Sequence, residues 1–285
     1  MAPPEVSFEF FPPNTDKMAE TLWRSVERLA SLKPKFVSVT YGAGGTTRER
    51  THATVERIVQ EKGLTTAAHL TCVAASRAEV DAVADRYWEA GVRHIVALRG
   101  DMPEPGQTYT PAADGYAYAS GLVAGLLDRH DFEISVAAYP ENHPEARNDD
   151  DEIENLRRKQ EAGAARAITQ FFFNTEDFLR YRDRMAAGGV DIPLAPGILP
   201  VTNFAAMVRF AGRCGASVPD WVAERFAGLE NDLETRSAIA AAIAVEQCQH
   251  LRREGVEHFH FYTLNRAELT LAICRMLGVG LAMTA

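Results

Sequence analysis

The chain is poor in the groups that mark several common chemistries, and each shortage removes a class. Its four cysteines, Cys72, Cys214, Cys248 and Cys274, form no CxxC or other metal-type spacing. Neither a zinc framework nor a dithiol redox pair is indicated, and reduced, packed thiols are expected. Lysine is scarce: Lys17, Lys33, Lys35, Lys62 and Lys159 are the only ones, and none ends an expected strand. A Schiff-base aldolase barrel needs a desolvated lysine there, so that chemistry is excluded. No apolar run approaches the roughly 20 residues that span a bilayer. The start, Met1-Ala2-Pro3-Pro4, lacks a leader pattern, so a cytoplasmic protein without membrane association is expected. Positive charge is also in deficit, with 30 basic against 39 acidic side chains and a net charge of -9. Such a surface disfavours nucleic acid and anionic lipid, and an anionic ligand would need local basic residues.

What is present is a recurrent alternation of strand and helix patterns in 285 residues, 46% of them hydrophobic. The β-type runs are Val6 to Phe11, Phe36 to Tyr41, Ala67 to Thr71, Ile95 to Arg99, Ile134 to Tyr139, Ala167 to Gln170, Leu194 to Leu199 and Phe259 to Leu264. Between them lie segments with helical spacing, such as Met18, Leu22, Val26, Leu29 and Leu32 after Thr15-Asp16. Further helical patterns run over 49–60, 76–89, 117–127, 149–162, 175–186, 203–212 and 235–253, and from Asn265-Arg266 to Leu277. Alternating units of this kind imply βαβ crossovers and a parallel sheet. About eight units suit one closed (β/α)₈ barrel, a fold of about 250 residues. A doubly wound sheet binding a dinucleotide would carry a glycine-rich first turn, whereas Phe11-Pro12-Pro13-Asn14-Thr15 has none. A single-domain α/β barrel over 1–285 is therefore expected, with ligands at the carboxyl ends of the strands.

Polar residues of catalytic type end these strands. Alternation places Ser7 and Glu9 on one face of the first strand and Phe8 and Phe10 on the other. A carboxyl group there loses hydration and its pKa rises, as a general acid near neutral pH requires, unless a cation pairs with it. Both readings of Glu9 stand at this point: an acid, or half of a structural ion pair. Arg99-Gly100-Asp101 holds a phosphate, sets charge beside a ring system, or is an ordinary turn. Arg157, Arg158 and Lys159 form a basic cluster on a helix, a diphosphate partner or a solvated face. A lone histidine such as His69 in an apolar run is more often a satisfied core residue, whereas His143 lies in a loop, where binding roles concentrate. His258 and His260 share a strand face, but no third ligand is evident and no metal site is expected. The loop Gly42 to Thr47 lacks the lysine of a phosphate-binding loop, which leaves only a weak cradle.

Taken together the strand-end motifs resemble the methylenetetrahydrofolate reductases. They are Ser7-Phe8-Glu9-Phe10-Phe11-Pro12-Pro13, Val37-Ser38-Val39-Thr40-Tyr41-Gly42, His69-Leu70-Thr71-Cys72, Ala97-Leu98-Arg99-Gly100-Asp101, Tyr139-Pro140-Glu141 with His143-Pro144-Glu145-Ala146, Gln170 to Phe173, Pro196 to Pro200, and Phe259 to Arg266. The resemblance covers about residues 5 to 279. It implies an α/β (β/α)₈ barrel holding FAD non-covalently, a nicotinamide donor (NADH or NADPH), and methylenetetrahydrofolate as the substrate reduced to 5-methyltetrahydrofolate. It also implies a homo-oligomer, dimer or tetramer. Under the resemblance Glu9 matches the general acid, and Asp101 the aspartate beside the flavin and pterin. Thr40, Tyr41, Ala43, His69, Arg99, Gly100, Asp101, Tyr118, Ala119, Tyr139, His143, Ala146, Asn155, Arg158 and Lys159 match flavin-contacting positions. Gln170, Phe210 and Arg266 match substrate-binding ones, with Ala206 standing where some members place a glutamine that contacts folate. A flavin- or folate-binding barrel without turnover, and a reductase that works without flavin, are the alternatives.

Overall fold

Eight parallel strands close on themselves in sequence order. The computed structural model describes residues 2–41, 48–102, 104, 107–201 and 203–280. The strands are β1 (Glu5–Phe10), β2 (Phe36–Val39), β3 (Thr66–Thr71), β4 (His94–Leu98), β5 (Glu133–Ala138), β6 (Arg166–Phe171), β7 (Leu194–Ile198) and β8 (His258–Tyr262). The helices between and after them are α1 (Asp16–Ala30), α2 (Arg48–Lys62), α3 (Arg77–Glu89), α4 (Ala119–Arg129), α5 (Asp149–Glu161), α6 (Thr175–Ala187), α7 (Phe204–Cys214), α8 (Asp220–Phe226), α9 (Leu233–Arg253) and α10 (Ala267–Met276). The expected barrel is observed. Closure is made by β8 against β1, where Ser7 pairs with His260 and Glu9 with Tyr262.

Local chemistry sets the starts of the helices. Thr15 accepts a hydrogen bond from the Met18 amide, Asn148 from Asp151 and Asn203 from Ala206, and Ser76 with Glu79 forms a reciprocal cap. Each satisfies a donor that the helix cannot satisfy itself. Sequence pattern missed α8, a seven-residue helix entered through Pro219. It is too short to show a period, and its burial of Val222 and Phe226 against a side cluster depends on tertiary packing.

The main core lies between sheet and helices. Phe8, Phe10, Val37, Val39, Ala68, Leu70, Ile95, Ala97, Ile134 and Val136 face outward into it, beneath Leu22, Val26, Leu29, Val55, Ile58, Leu122 and Leu126. The barrel interior carries only a small apolar cluster of Phe36, Ala67, Val96, Ile168 and Ala195. At the β6–β7 seam the register shifts between Ile168 and Phe171, and Gly197 fills the gap. A Cβ on Gly197 would stand 2.2 Å from the Thr169 carbonyl oxygen, so only glycine fits. The four cysteines are unpaired, as expected. Among the described residues no helix is long and apolar enough to cross a membrane.

Candidate active site

Glu9 points inward. It sits in the last turn of pleat of β1, 8% exposed, with its Oε2 3.5 Å from His69 Nε2 and 3.8 Å from His260 Nε2. These separations exceed a hydrogen bond, and both imidazole nitrogens are buried without a partner. Burial raises the Glu9 pKa, with His69 opposing it weakly. Burial also lowers His69 to about 4 and His260 to about 3. Burial thus disfavours the charged form of Glu9 and of both imidazoles, and the carboxyl makes no hydrogen-bonded ion pair with either ring. Of the two readings of Glu9 left open by the sequence, this arrangement suits the acid better than the ion pair. The strand end is held by Thr263, whose hydroxyl donates to the Glu9 carbonyl at 2.6 Å.

A second cluster gathers on the β4–β5 side of the mouth. Arg99 is gripped by both oxygens of Glu145, with Nη2 to Oε1 at 3.2 Å. Its guanidinium lies 4.3 Å from the centroid of Tyr109, whose ring stands 5.8 Å from that of Tyr118. Gly100 takes φ +85°, and a Cβ there would come within 2.6 Å of Val73; the chain turns tightly so that exposed Asp101 follows directly. The rings of Tyr139 and His143 meet edge to face at 4.7 Å. His143 Nδ1 accepts from the Glu145 amide at 3.1 Å, which leaves the proton of the neutral ring on Nε2. Burial and the nearby Arg99 hold His143 below its ordinary pKa.

Lys159 is buried at 5% exposure and donates to the Ala137 carbonyl at 2.9 Å. Burial depresses its pKa to about 8, opposed by Glu152. Glu152, itself 2% exposed, accepts from the His143 amide at 2.8 Å. Sequence reasoning missed Glu152 among four consecutive acids. Its seven-residue spacing from Lys159 on α5 was the available signal, because two helical turns bring such residues to one face. Glu145 and Tyr109, the partners of Arg99, were missed as well. They come from separate loops and carry no local pattern.

Gln170 and Phe171 meet Tyr139, Pro140 and Cys214 around a small recess. The Gln170 side-chain oxygen accepts from the Phe171 amide at 3.0 Å. Phe210 stacks on Phe171 with centroids 5.5 Å apart and planes at 15°. The Cys214 thiol feels both Asp101 and Glu9 electrostatically, which ties the two clusters to one mouth.

Other expected residues lie around this mouth without direct contact to Glu9. Thr40 donates its amide to the Phe10 carbonyl at 3.0 Å, and half-buried Tyr41 follows with its hydroxyl raised in pKa by burial. Ala119 is buried at the start of α4, Ala146 closes the His143 turn through a 2.8 Å amide bond, and Asn155 is half-buried on α5. Arg158 is exposed and pairs with Glu154 at 2.7 Å. Arg266 is exposed at the head of α10. Ala43 and the Gly42 to Thr47 loop lie outside the described residues. Among the described residues no cluster has metal-binding composition.

A closed β/α barrel whose mouth carries a desolvated acid, an aspartate at a strand end and a buried lysine defines a ligand-binding enzyme scaffold of the barrel oxidoreductase or lyase kind. Comparison with known proteins narrows this class. The methylenetetrahydrofolate reductase family model matches residues 2–278, and the chain belongs to that family. A 5,10-methylenetetrahydrofolate reductase of Pectobacterium carotovorum is 54% identical over 96% of this chain and 90% of its own length. The Escherichia coli protein of the same name is 53% identical with the same coverage. Methylenetetrahydrofolate reductase 2 of Saccharomyces cerevisiae is 34% identical, with 47% of its length covered. Among solved structures, a Clostridium thermocellum protein described as binding two copies of 5-methyl-5,6,7,8-tetrahydrofolic acid superposes with TM-score 0.60. It is 18% identical and covers 96% of this chain and 94% of its own, a likeness of fold.

Proposed function

We propose that the chain reduces 5,10-methylenetetrahydrofolate to 5-methyltetrahydrofolate, with FAD as the resident cofactor and NADH or NADPH as electron donor in a ping-pong cycle. The observation that carries this reading is the buried, inward Glu9 at the mouth of a family barrel, its pKa raised by burial, since ring opening of the substrate needs a proton donor. The residues present fit a flavin. Buried Lys159 with Arg158 and Asn155 supplies cation and donors for a diphosphate. Tyr139, His143 and the orphaned His69 Nε2 supply ring contacts and a free polar atom. Bound flavin would supply hydride chemistry, taking the hydride from the nicotinamide and yielding it to the folate.

The chain's own part is protonation, charge and position. Glu9 donates to the substrate nitrogen that leaves when the five-membered ring opens. Burial raises its pKa and so favours the protonated form that donation requires. Asp101 places negative charge where the opened substrate is cationic. Gln170 offers an amide to the pterin edge, and the Phe171–Phe210 stack offers an aromatic face for either ligand in turn. Arg266, at the rim, suits the folate carboxylates. A homo-oligomer, dimer or tetramer, belongs to the same reading.

The test is spectroscopic. Purified protein should show flavin absorbance that NADH or NADPH bleaches anaerobically and methylenetetrahydrofolate restores. Absence of flavin bands with intact folate reduction would favour a flavin-free reductase. Bleaching without restoration would favour a binding barrel without turnover.

A further inference from the structure

The barrel axis is more polar than barrel closure requires. Interiors of this fold are dominated by bulky branched aliphatics, whereas here Ser7, Ser38, His69, His94, Ser135, His258 and His260 face inward with Glu9, and all but the half-buried His258 are buried. Burying such groups costs stability unless each is hydrogen-bonded. Three of them form a continuous line. Ser7 Oγ lies 2.7 Å from His260 Nδ1 and 2.9 Å from His258 Nε2, and the far nitrogen of His260 faces the Glu9 carboxyl at 3.8 Å. His258 reaches the opposite end of the barrel, lining a cleft of about 580 Å³ with Glu5, Lys35, Arg166 and Glu257.

Hydrogen-bond counting fixes how this line works. A serine hydroxyl has one proton, so Ser7 donates to one imidazole and accepts from the other. If it donates to His260 Nδ1, then His260 carries its proton on Nε2, and His258 must donate from Nε2 as well. If it donates to His258 Nε2, both rings carry their proton on Nδ1. The two histidines therefore share one tautomer, and passing one proton along the line converts one arrangement into the other. By contrast, the neighbouring pair of His94 and Ser135, 2.8 Å apart, continues to Arg166 and Glu133, toward the floor and away from Glu9.

We propose that His258, Ser7 and His260 are a proton relay that reloads Glu9 from the floor of the barrel while ligands cover the mouth. This deepens the reading of Glu9 as the acid and rests on it. Each reduction adds one hydride and one proton to the folate, so Glu9 must regain a proton every turnover. In the relay, a hydronium ion entering the floor cleft from solvent gives a proton to His258 Nδ1 and leaves as water. The His258 Nε2 proton passes to Ser7 Oγ, the original Ser7 proton to His260 Nδ1, and the His260 Nε2 proton to the Glu9 carboxylate. No group is oxidised or reduced, and no charge is left on the line.

Two measurements test it on the flavin-loaded protein. In ¹⁵N-histidine NMR spectra at neutral pH, His258 and His260 should both be neutral and share one tautomer. Opposite tautomers, or a charged ring, would overturn the relay whether or not the protein turns over folate. In stopped flow, Ser7→Ala should complete its first folate reduction at the wild-type rate, because the first proton comes from Glu9 itself and needs no reloading. Its later turnovers should slow about tenfold and gain a larger solvent deuterium effect. His258→Ala, which changes the floor end, should show the same slow phase, and added imidazole should relieve it. Wild-type steady-state turnover in Ser7→Ala, equal slowing of its first turnover, or no imidazole effect on His258→Ala would each count against the relay. If Glu9→Gln retained folate reduction, the acid assignment itself would fail; an inactive Glu9→Gln beside a fully active Ser7→Ala would sink the relay alone.

Discussion

The two faces of the same eight strands have been put to opposite uses. Outward, β1 presents Phe8 and Phe10, both 0% exposed and packed under helices. Inward, one residue along the strand, it presents Ser7 and Glu9. The contrast repeats around the barrel: Val37 outward against Ser38 inward, Leu70 against His69, Ile95 against His94, Val136 against Ser135, and Phe259 and Phe261 against His260. Apolar burial of roughly 25 cal/mol per Å² accrues in the outer layer. The inner layer holds polar atoms that lack partners, including Ser38 Oγ, His69 Nε2, His94 Nδ1 and His260 Nε2. Stability is drawn from outside the sheet, which leaves the interior free to hold groups that a core would reject.

Adjacent residues on β1 give the sharpest way to break that comparison. Glu9→Gln should cut folate reduction by about 10²–10⁴, keep flavin reduction by the nicotinamide, and leave the melting temperature equal or higher. Phe8→Ala should cost about 3–5 kcal/mol of stability and leave the chemistry of the surviving folded fraction unchanged. Half-reaction kinetics and denaturant melts on both variants decide it. A Glu9→Gln protein that is mainly unstable, or that still reduces folate, would erase the distinction between the faces.

Acid should attack the inner face first. Burial depresses His69 to about 4, and His94, His258 and His260 to about 3. In the unfolded chain all four take a proton near pH 6.5. Below that pH the unfolded state binds more protons than the folded one, so stability falls with falling pH down to about pH 3–4. Each histidine contributes up to about 1.4 kcal/mol per pH unit across that window. Glu9 has the opposite sense. Its raised pKa makes its contribution largest at low pH and smaller as pH rises through the folded value. Denaturant melts from pH 7 to 4 on the wild type and His94→Gln test this, since losing one buried histidine should make the slope shallower. An unchanged slope would remove the inner histidines as its cause.

Much of this division was legible in the sequence, and its limits were physical. Alternation placed Ser7 with Glu9 and His258 with His260, because a strand has a side-chain period of two. It gave no sign of which face was inside; that followed from closure by β8 onto β1, a pairing between residues some 250 positions apart in sequence, as Ser7 and His260 show. The two histidines raised a metal question, whereas their partner is a serine from the other end of the chain. The motif resemblance carried the mouth residues, since family motifs sit at strand ends. It contained Glu145 without giving it a role and did not reach Tyr109 or Glu152; these three hold Arg99 and the His143 turn from loops and a helix.

Lys159 sharpens the comparison because it brings a buried cation to the mouth from the helix layer. Lys159→Met should weaken flavin binding by about ten- to a hundredfold, one lost charge-assisted contact being worth roughly 1.5–3 kcal/mol. With its pKa depressed to about 8, the lysine loses its charge as pH rises. Flavin affinity of the wild type should therefore decline above about pH 8, and the decline should be absent in Lys159→Met. Flavin titration by fluorescence quenching at pH 7 and 9 separates the two.

The smallest expected effect concerns Asp101, an exposed acidic group of the site. As the proposed acid, Glu9 would work because water is excluded from it; Asp101 would work through its field, which water weakens. The two carboxylates should thus respond differently to neutralisation. On the proposed placement beside a flavin, Asp101→Asn removes a negative charge and should raise the flavin midpoint potential by no more than about 30 mV, one tenfold step for a two-electron couple. Folate reduction should slow by a similar factor, because on the same placement the charge would face the cationic substrate. Raising ionic strength should reduce both effects in the Asp101 comparison and leave that of Glu9→Gln intact, as screening reaches only the solvent-accessible charge. A lower potential in Asp101→Asn, or a salt-sensitive Glu9→Gln defect, would show that exposure does not separate their roles.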